Sequence, residues 1–111
     1  MGKLTTHILD TARGCPGAEI PIRVFRDGQL IKETRSNADG RCDEPLIDGQ
    51  DFTAGLHEIE FRVASYFADL TDPSKPPFLD RITLTVTLSD DAHYHVPLLV
   101  SPWSYSTYRG S

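Results

Sequence analysis

Apolar and polar residues alternate along most of the chain, in short segments separated by Gly, Pro, Asn and Asp. A period of two places successive side chains on opposite faces of an extended strand. Seven or eight such strands favour an all-β sandwich of two packed sheets. The alternation predicts strands at residues 4–10, 20–25, 30–35, 56–63, 82–88, 94–101 and 103–109.

Turn residues indicate how some of these strands are joined. Asp27-Gly28 tolerates the positive φ angles of a tight hairpin turn, so residues 20–25 and 30–35 are expected to pair. Pro21 is tolerated there because it lies near the strand entry. Only Ser101-Pro102 separates the last two strands, which are expected to be adjacent and antiparallel.

One segment breaks the alternation. Residues 64–70, ASYFADL, lack a period of two and contain good helix formers, and the DPSKPP that follows cannot continue a helix. The pattern predicts one short helix there.

Length and charge narrow the classes of function. The 111 residues are typical of one domain, expected to span residues 1–111, whose modest core would benefit from oligomerisation. Eleven Lys and Arg against sixteen Asp and Glu give a net charge of −5, and the basic residues are scattered. This argues against nucleic-acid or anionic-membrane binding and favours a small-molecule or protein partner.

The cysteines and the N-terminus favour a cytoplasmic protein. Residues 1–6 contain neither an apolar segment nor a cleavage site typical of a secretion signal. Cys15 and Cys42 follow turn-like glycines and lack a CxxC partner, so they are expected to be free thiols.

Four histidines are the first candidates for chemistry, because imidazole exchanges protons near neutral pH. His93 and His95 are two apart in a predicted strand and share a face, so they would form a pair of metal ligands if a third were supplied; otherwise they are solvated. His7 lies mid-strand and is either a proton-transfer group or a histidine held by a backbone group. His57, next to Gly55 at a strand start, is expected to be structural.

A guanidinium and the end of the chain are further candidates. Arg41 follows the turn residues Asp39-Gly40 and is either an anion- or carbonyl-binding group or a surface charge. Residues 108–111 place a tyrosine, an arginine and the terminal groups together, and they are either docked into a site or frayed.

Several segments resemble the transthyretin-like 5-hydroxyisourate hydrolases over essentially the whole chain. They are LTTHILDTARG at 4–14, IRVFR at 22–26, ADGR at 38–41 and YHVPLLVSPWSYSTYRGS at 94–111. The terminal YRGS is the most specific mark. The carrier transthyretin shares the layout but is expected to lack YRGS and the histidines, so the chain resembles the enzyme branch. His93, Cys15 and PPFLDR at 76–81 lie outside the family pattern.

The resemblance implies a sandwich of two four-stranded sheets with one short helix, assembled as a homotetramer, a dimer of dimers. It implies an active site in a channel between dimers, without a metal or other cofactor. The residues it assigns are His7, Arg41, His95 and Ser111 as catalytic, and Arg41, Ser106, Tyr108 and Arg109 as substrate-binding.

The implied reaction opens the ring of 5-hydroxyisourate at its N1–C6 acyl bond with water. Such a reaction needs a general base, donors for the developing oxyanion and a fixed ring orientation. One of His7 and His95 is expected to activate water and the other to donate a proton or orient the first; the residues leave open which does which. Arg41 is expected to stabilise the oxyanion.

Three other interpretations of the residues remain open. A transthyretin-type carrier would bind an aromatic ligand without turnover, although bulky Tyr108 and charged Arg109 argue against an open apolar channel. A metal hydrolase would use His7, His93 and His95 as ligands. A structural immunoglobulin-like domain would have no catalytic role.

Overall fold

The computed structural model describes residues 2–89 and 91–110. Within these ranges the chain forms nine strands and two short 3-10 helices, at Gly49–Asp51 and Ala68–Leu70. The strands are β1 (Lys3–Asp10), β2 (Cys15–Pro16), β3 (Pro21–Arg26), β4 (Gln29–Arg35), β5 (Ile47–Asp48), β6 (Gly55–Arg62), β7 (Arg81–Leu88), β8 (His93–Val100) and β9 (Tyr105–Thr107).

The strands form two sheets, as the alternation predicted. One sheet has the order β2-β1-β8-β9 with β5 also paired to β1, and the other has the order β4-β3-β6-β7. β1 and β8 run parallel, and the other described pairs are antiparallel. The two-sheet sandwich is confirmed, but the first sheet has five strands rather than four because the two-residue β5 joins it.

The core lies between the sheets and takes every second side chain of the long strands. Leu4, Thr6, Ile8 and Asp10 are buried, and the residues between them are half-buried on the opposite face of β1. β8 has the same phase, with Tyr94 and its alternate neighbours facing inward. Burial of each large aliphatic side chain contributes about 1.5–3 kcal/mol to folding. Core burial therefore fixes which residues of β1 and β8 face outward.

The predicted helix at residues 64–70 is wrong in type and length. Residues 64–67 form a turn, and only Ala68–Leu70 is helical, as a 3-10 helix. Phe67 N–H donates to Val63 O at 3.2 Å, but the next bonds span three residues rather than four. Phe67 is buried, and Tyr66 donates a hydrogen bond to Asp10 at the end of β1. Tertiary contacts, and not helix propensity, therefore determine this conformation.

The predicted turns are confirmed. Asp27 and Gly28 have φ angles of 52° and 78° and connect β3 to β4. β8 and β9 pair antiparallel across a connection in which Ser101 N–H donates to Ser104 O at 2.9 Å. The last strand ends at Thr107 rather than at residue 109, and the chain makes one more bridge to β8 at Gly110.

Asp10 anchors the end of β1. Its buried carboxylate accepts hydrogen bonds from Tyr66 Oη at 2.7 Å, from Arg13 Nη1 at 2.9 Å and from the backbone N–H groups of Ala12 and Arg13 at 3.0 Å. Burial raises the pKa of Asp10, but the hydrogen bonds from Tyr66 and Arg13 outweigh it and the net pKa is lowered. The ionised carboxylate therefore fixes the turn after β1 to the segment around Tyr66.

Candidate active site

The parallel pair β1 and β8 presents a polar outward face. In its register Thr5 lies beside His95 and His7 beside Pro97. Because the alternate residues of both strands fill the core, Thr5, His7, His93 and His95 all lie on the side away from it. The strand phases expected from the sequence thus place His7 and His95 on one face.

Thr5 connects two of these histidines. Its Oγ1 lies 2.7 Å from His93 Nε2 and 2.8 Å from His95 Nδ1. The two imidazole centroids are 6.2 Å apart. Sequence reasoning noted the shared face of His93 and His95 but missed Thr5, although its even spacing from His7 was a usable signal.

His7 is oriented by the backbone of a loop. Its Nε2 lies 3.0 Å from the carbonyl oxygen of Asp39. A carbonyl oxygen only accepts, so this Nε2 carries the proton and the lone pair of the neutral ring is on Nδ1. The contact fixes both the tautomer and the orientation of His7.

The loop that bonds His7 also presents Arg41. Asn37 Oδ1 accepts hydrogen bonds from the backbone N–H groups of Asp39 at 2.9 Å and Arg41 at 3.2 Å, and Asn37 N–H donates to Arg41 O at 2.6 Å. Gly40, at φ 76°, lies directly on β1, where its carbonyl accepts from Ile8 N–H at 2.7 Å. A tight Asn-centred turn therefore holds Arg41 beside the histidine face.

Arg41, His93 and His95 line a common cavity of about 220 Å³. Thr5 and Cys42 also line it, and His7 lies outside its lining. The pKa of His95 lies below its ordinary value, first because the ring is partly buried and then because Arg41, His93 and His7 add positive charge nearby. The neutral imidazole, with an available lone pair, is thus favoured at this position.

The end of the chain is docked beside His95. Gly110 N–H donates to His95 O at 2.7 Å, and Thr107 Oγ1 donates to Pro97 O at 2.7 Å. A Cβ on Gly110 would lie 2.8 Å from Cδ2 of the His95 ring, so only glycine fits this approach. Beyond β9 the tail is therefore docked on β8 through a single bridge at Gly110 and is not frayed up to that residue.

Comparison with known proteins assigns the chain to a family. The family model described as HIUase/Transthyretin family matches residues 4–110. The chain belongs to this family. A 5-hydroxyisourate hydrolase of Ralstonia nicotianae is 52% identical, with both chains covered in full.

Two solved structures extend the comparison. The structure of Klebsiella pneumoniae 5-hydroxyisourate hydrolase superimposes with a TM-score of 0.85 at 29% identity, with both chains covered in full. A crystal structure of (S)-allantoin synthase superimposes with a TM-score of 0.91 at 46% identity over 99% of this chain, but this chain spans only 44% of that one. The likeness of both structures confirms the transthyretin-like sandwich.

The remaining residues expected from the family resemblance have different positions. Ser106 pairs with Leu99 and so lies on the outward face of the sheet, and Tyr108 is 61% exposed just beyond β9. Arg109, although exposed, instead stacks its guanidinium over the ring of Tyr94, 4.3 Å from the centroid. Within one chain Arg109 is therefore not brought to the histidines. Ser111 lies outside the described residues.

The other candidate groups are placed as follows. His57 is buried and its Nδ1 lies 3.0 Å from Gly55 O, in the structural position expected for it. Cys15 and Cys42 are both free thiols. Among residues 2–89 and 91–110, no group of three His, Cys, Asp or Glu side chains is arranged to hold a metal ion, and no helix in those ranges is long and apolar enough to cross a membrane.

Proposed function

We propose that this family member is a 5-hydroxyisourate hydrolase acting in urate degradation, which opens the N1–C6 bond to give 2-oxo-4-hydroxy-4-carboxy-5-ureidoimidazoline. The observation that carries the proposal is the convergence of two oriented histidines and Arg41 on one outward face of β1 and β8. The full-length similarity to the Ralstonia nicotianae enzyme supports the same conclusion. The substrate is a small, flat, polar ring, a class suited to planar donors and imidazoles.

In the proposed mechanism His95 is the general base. Its lowered pKa keeps it neutral, so its lone pair accepts a proton from water as the water oxygen attacks C6. The C6–N1 bond then breaks, and N1 receives from His95 the proton that the water gave up. We assign His7, whose Nε2–H is held by Asp39 O and whose Nδ1 carries the lone pair, to orienting the water by accepting a hydrogen bond from it.

Arg41 is proposed to stabilise the oxyanion. The turn centred on Asn37 fixes its backbone, and its side chain lines the cavity beside His95. A fixed guanidinium presents planar donors to a carbonyl oxygen that gains charge in the transition state. Loss of one such donor typically lowers kcat by about 10²-fold to 10³-fold.

We also propose that the terminal residues contact the substrate and that the protein is a homotetramer. The docking of Gly110 on His95 supports a role for the terminal residues, with Ser111 contacting water or substrate and Ser106, Tyr108 and Arg109 contacting the ring. Since Arg109 stacks on Tyr94 and not beside the histidines of its own chain, we assign its substrate contact to a site shared between subunits of a dimer of dimers. We propose a single domain over residues 1–111 and a cytoplasmic location, to which free Cys15 and Cys42 are suited.

A spectrophotometric assay tests the activity. 5-Hydroxyisourate made freshly from urate by an oxidase is mixed with the protein or with buffer, and the near-ultraviolet absorbance is followed. The protein is expected to accelerate the loss of absorbance and to form the ring-opened carboxylate. A rate equal to that in buffer would contradict the proposal. Activity lost on treatment with EDTA and o-phenanthroline would instead indicate a metal hydrolase.

A further inference from the structure

We propose that Thr5 and His93 form a proton relay that fixes the tautomer of His95 and connects its buried side to solvent. This inference rests on the proposed function, because it assigns a role in the step that His95 performs. Both residues act through His95 and are positioning residues. The observation that carries it is one hydroxyl within hydrogen-bond distance of two imidazole nitrogens.

The donors and acceptors of the three side chains limit the arrangements. A threonine hydroxyl donates one hydrogen bond and can accept two. At 2.7 Å from His93 Nε2 and 2.8 Å from His95 Nδ1, Thr5 therefore donates to at most one of the two rings and accepts from the other. When His95 Nδ1 donates to Thr5 and Thr5 donates to His93, the lone pair of His95 is on Nε2. The nitrogen that does not contact Thr5 is then the base.

The position of His93 suits it to the outer end of the relay. His93 is exposed, whereas His95 is partly buried beneath the chain end at Gly110. The charged and titratable groups near His95 are His7 on β1, His93 on β8 and four residues of the loop after β4 that line the cavity, namely Arg41, Cys42, Asp43 and Glu44. The Thr5 hydroxyl connects His93 to His95, whereas His7 contacts the carbonyl oxygen of Asp39.

The proton movements balance. His95 Nε2 takes a proton from the attacking water while its Nδ1 proton passes to Thr5 Oγ1. The Thr5 hydroxyl proton passes at the same time to His93 Nε2. His93 becomes an imidazolium and releases its Nδ1 proton to solvent, so His95 is neutral with its proton on Nε2. When the C6–N1 bond breaks, His95 Nε2 gives that proton to N1, and the relay runs in reverse: Thr5 returns a proton to His95 Nδ1, His93 Nε2 returns one to Thr5, and His93 Nδ1 takes one from solvent. No other reactant is required, because one water proton passes to N1 and the other is lost to solvent when the product carboxyl group ionises.

The kinetic test uses three variants and one control. Thr5→Val removes the hydroxyl at nearly constant shape, Thr5→Ser retains it, and His93→Gln removes the proton-accepting ring. Thr85→Val, at an exposed threonine of β7 in the other sheet, is the matched control. We expect Thr5→Val to lower kcat at least about tenfold with little change in KM, and Thr5→Ser to restore it. His93→Gln should lower kcat and move the acidic limb of kcat/KM to higher pH, because a neighbouring positive charge is lost.

A second readout separates failure of the relay from failure of the proposed function. Nitrogen-15 NMR of the histidine rings, which needs no turnover, should show neutral His95 protonated on Nδ1 in the wild type and a mixture of tautomers in Thr5→Val. Wild-type kcat and an unchanged pH profile in both Thr5→Val and His93→Gln would overturn the relay, as would Thr5→Ser behaving like Thr5→Val. A wild-type protein that does not hydrolyse 5-hydroxyisourate would refute the proposed function, and the NMR tautomer would still decide whether Thr5 orients His95.

Discussion

Gly40→Ala tests whether the turn before Arg41 must lie directly on β1. At Gly40 an added Cβ would lie 2.3 Å from the carbonyl oxygen of Ile8, inside van der Waals contact. That oxygen also accepts from Gly17 N–H at 2.9 Å, and Ile8 N–H donates to Gly40 O at 2.7 Å. Alanine therefore forces the turn away from β1 and weakens both bonds.

The magnitude can be worked from two contributions. An L-residue at φ 76° costs about 1–2 kcal/mol relative to glycine. Weakening two backbone hydrogen bonds in a buried position adds about 1–3 kcal/mol for each group left unpaired. Together these contributions lead us to expect that Gly40→Ala lowers the free energy of unfolding by at least about 3 kcal/mol. Because the same turn holds Arg41 and the carbonyl that orients His7, a displacement of about 1 Å should lower kcat/KM roughly a hundredfold.

Gly28→Ala is the matched control. Gly28 has nearly the same φ angle, 78°, but an alanine Cβ there would meet no atom within 4 Å, and the residue lies in the β3–β4 turn. The variant should lose only about 1–2 kcal/mol and keep its activity. Urea unfolding and initial rates on fresh 5-hydroxyisourate measure both effects. Equal stability and equal activity of the two alanine variants would refute the requirement for close approach.

The remaining predictions concern the histidines, pH and the tail. His7→Asn and His95→Asn should each lower kcat at least about a hundredfold with little change in Tm, since both side chains lie outside the core; full activity in either variant excludes that residue. With neutral His95 as the base, kcat/KM should rise with pH and reach half its plateau below pH 6.5, and a midpoint above 6.5 would exclude His95 as that base. The pKa of Asp10 is lowered in the folded protein, so its ionised form stabilises the fold above the ordinary carboxyl pKa, and this stabilisation is lost as the pH falls. In urea unfolding, the free energy of unfolding of Asp10→Asn should therefore depend less on acid pH than that of the wild type. An unchanged dependence would contradict this role of Asp10. Removing residues 108–111 should abolish hydrolysis. The circular dichroism spectrum should remain that of the folded sandwich, since β9 ends at Thr107. A truncated protein that is unfolded would show that the tail is structural.

The alternation of apolar and polar residues was enough to predict the long strands and the face of the strand on which each of their residues lies. The alternation places His7 of β1 on the face opposite Leu4 and Ile8, and His95 of β8 on the face opposite Val96 and Leu98. The structure buries these four apolar residues. The alternation did not predict elements whose conformation depends on contacts between residues far apart in the sequence. The two-residue β2 and β5 exist only through pairing with β1, and the helix expected at 64–70 gives way to contacts of its aromatic side chains.

The site was predicted less completely than the fold for the same reason. The contact between Thr5 and two histidines depends on the register of β1 against β8, about 90 residues away, and a shift of one residue would change every partner. Arg109 follows β9, where the side-chain direction is set by the Tyr94 ring rather than by strand phase. Such contacts follow from tertiary packing, and the sequence signals at most the face that a residue such as Thr5 shares with His7.

In the proposed mechanism His95, positioned on the face shared with His7 and beside Arg41, activates water for ring opening. The most direct measurement is the initial rate of 5-hydroxyisourate loss with folded His95→Asn protein, compared with wild type and with buffer at the same pH. We predict rapid loss with wild type and a rate at least about a hundredfold lower with the variant. A folded His95→Asn protein that matches the wild-type rate would contradict the account.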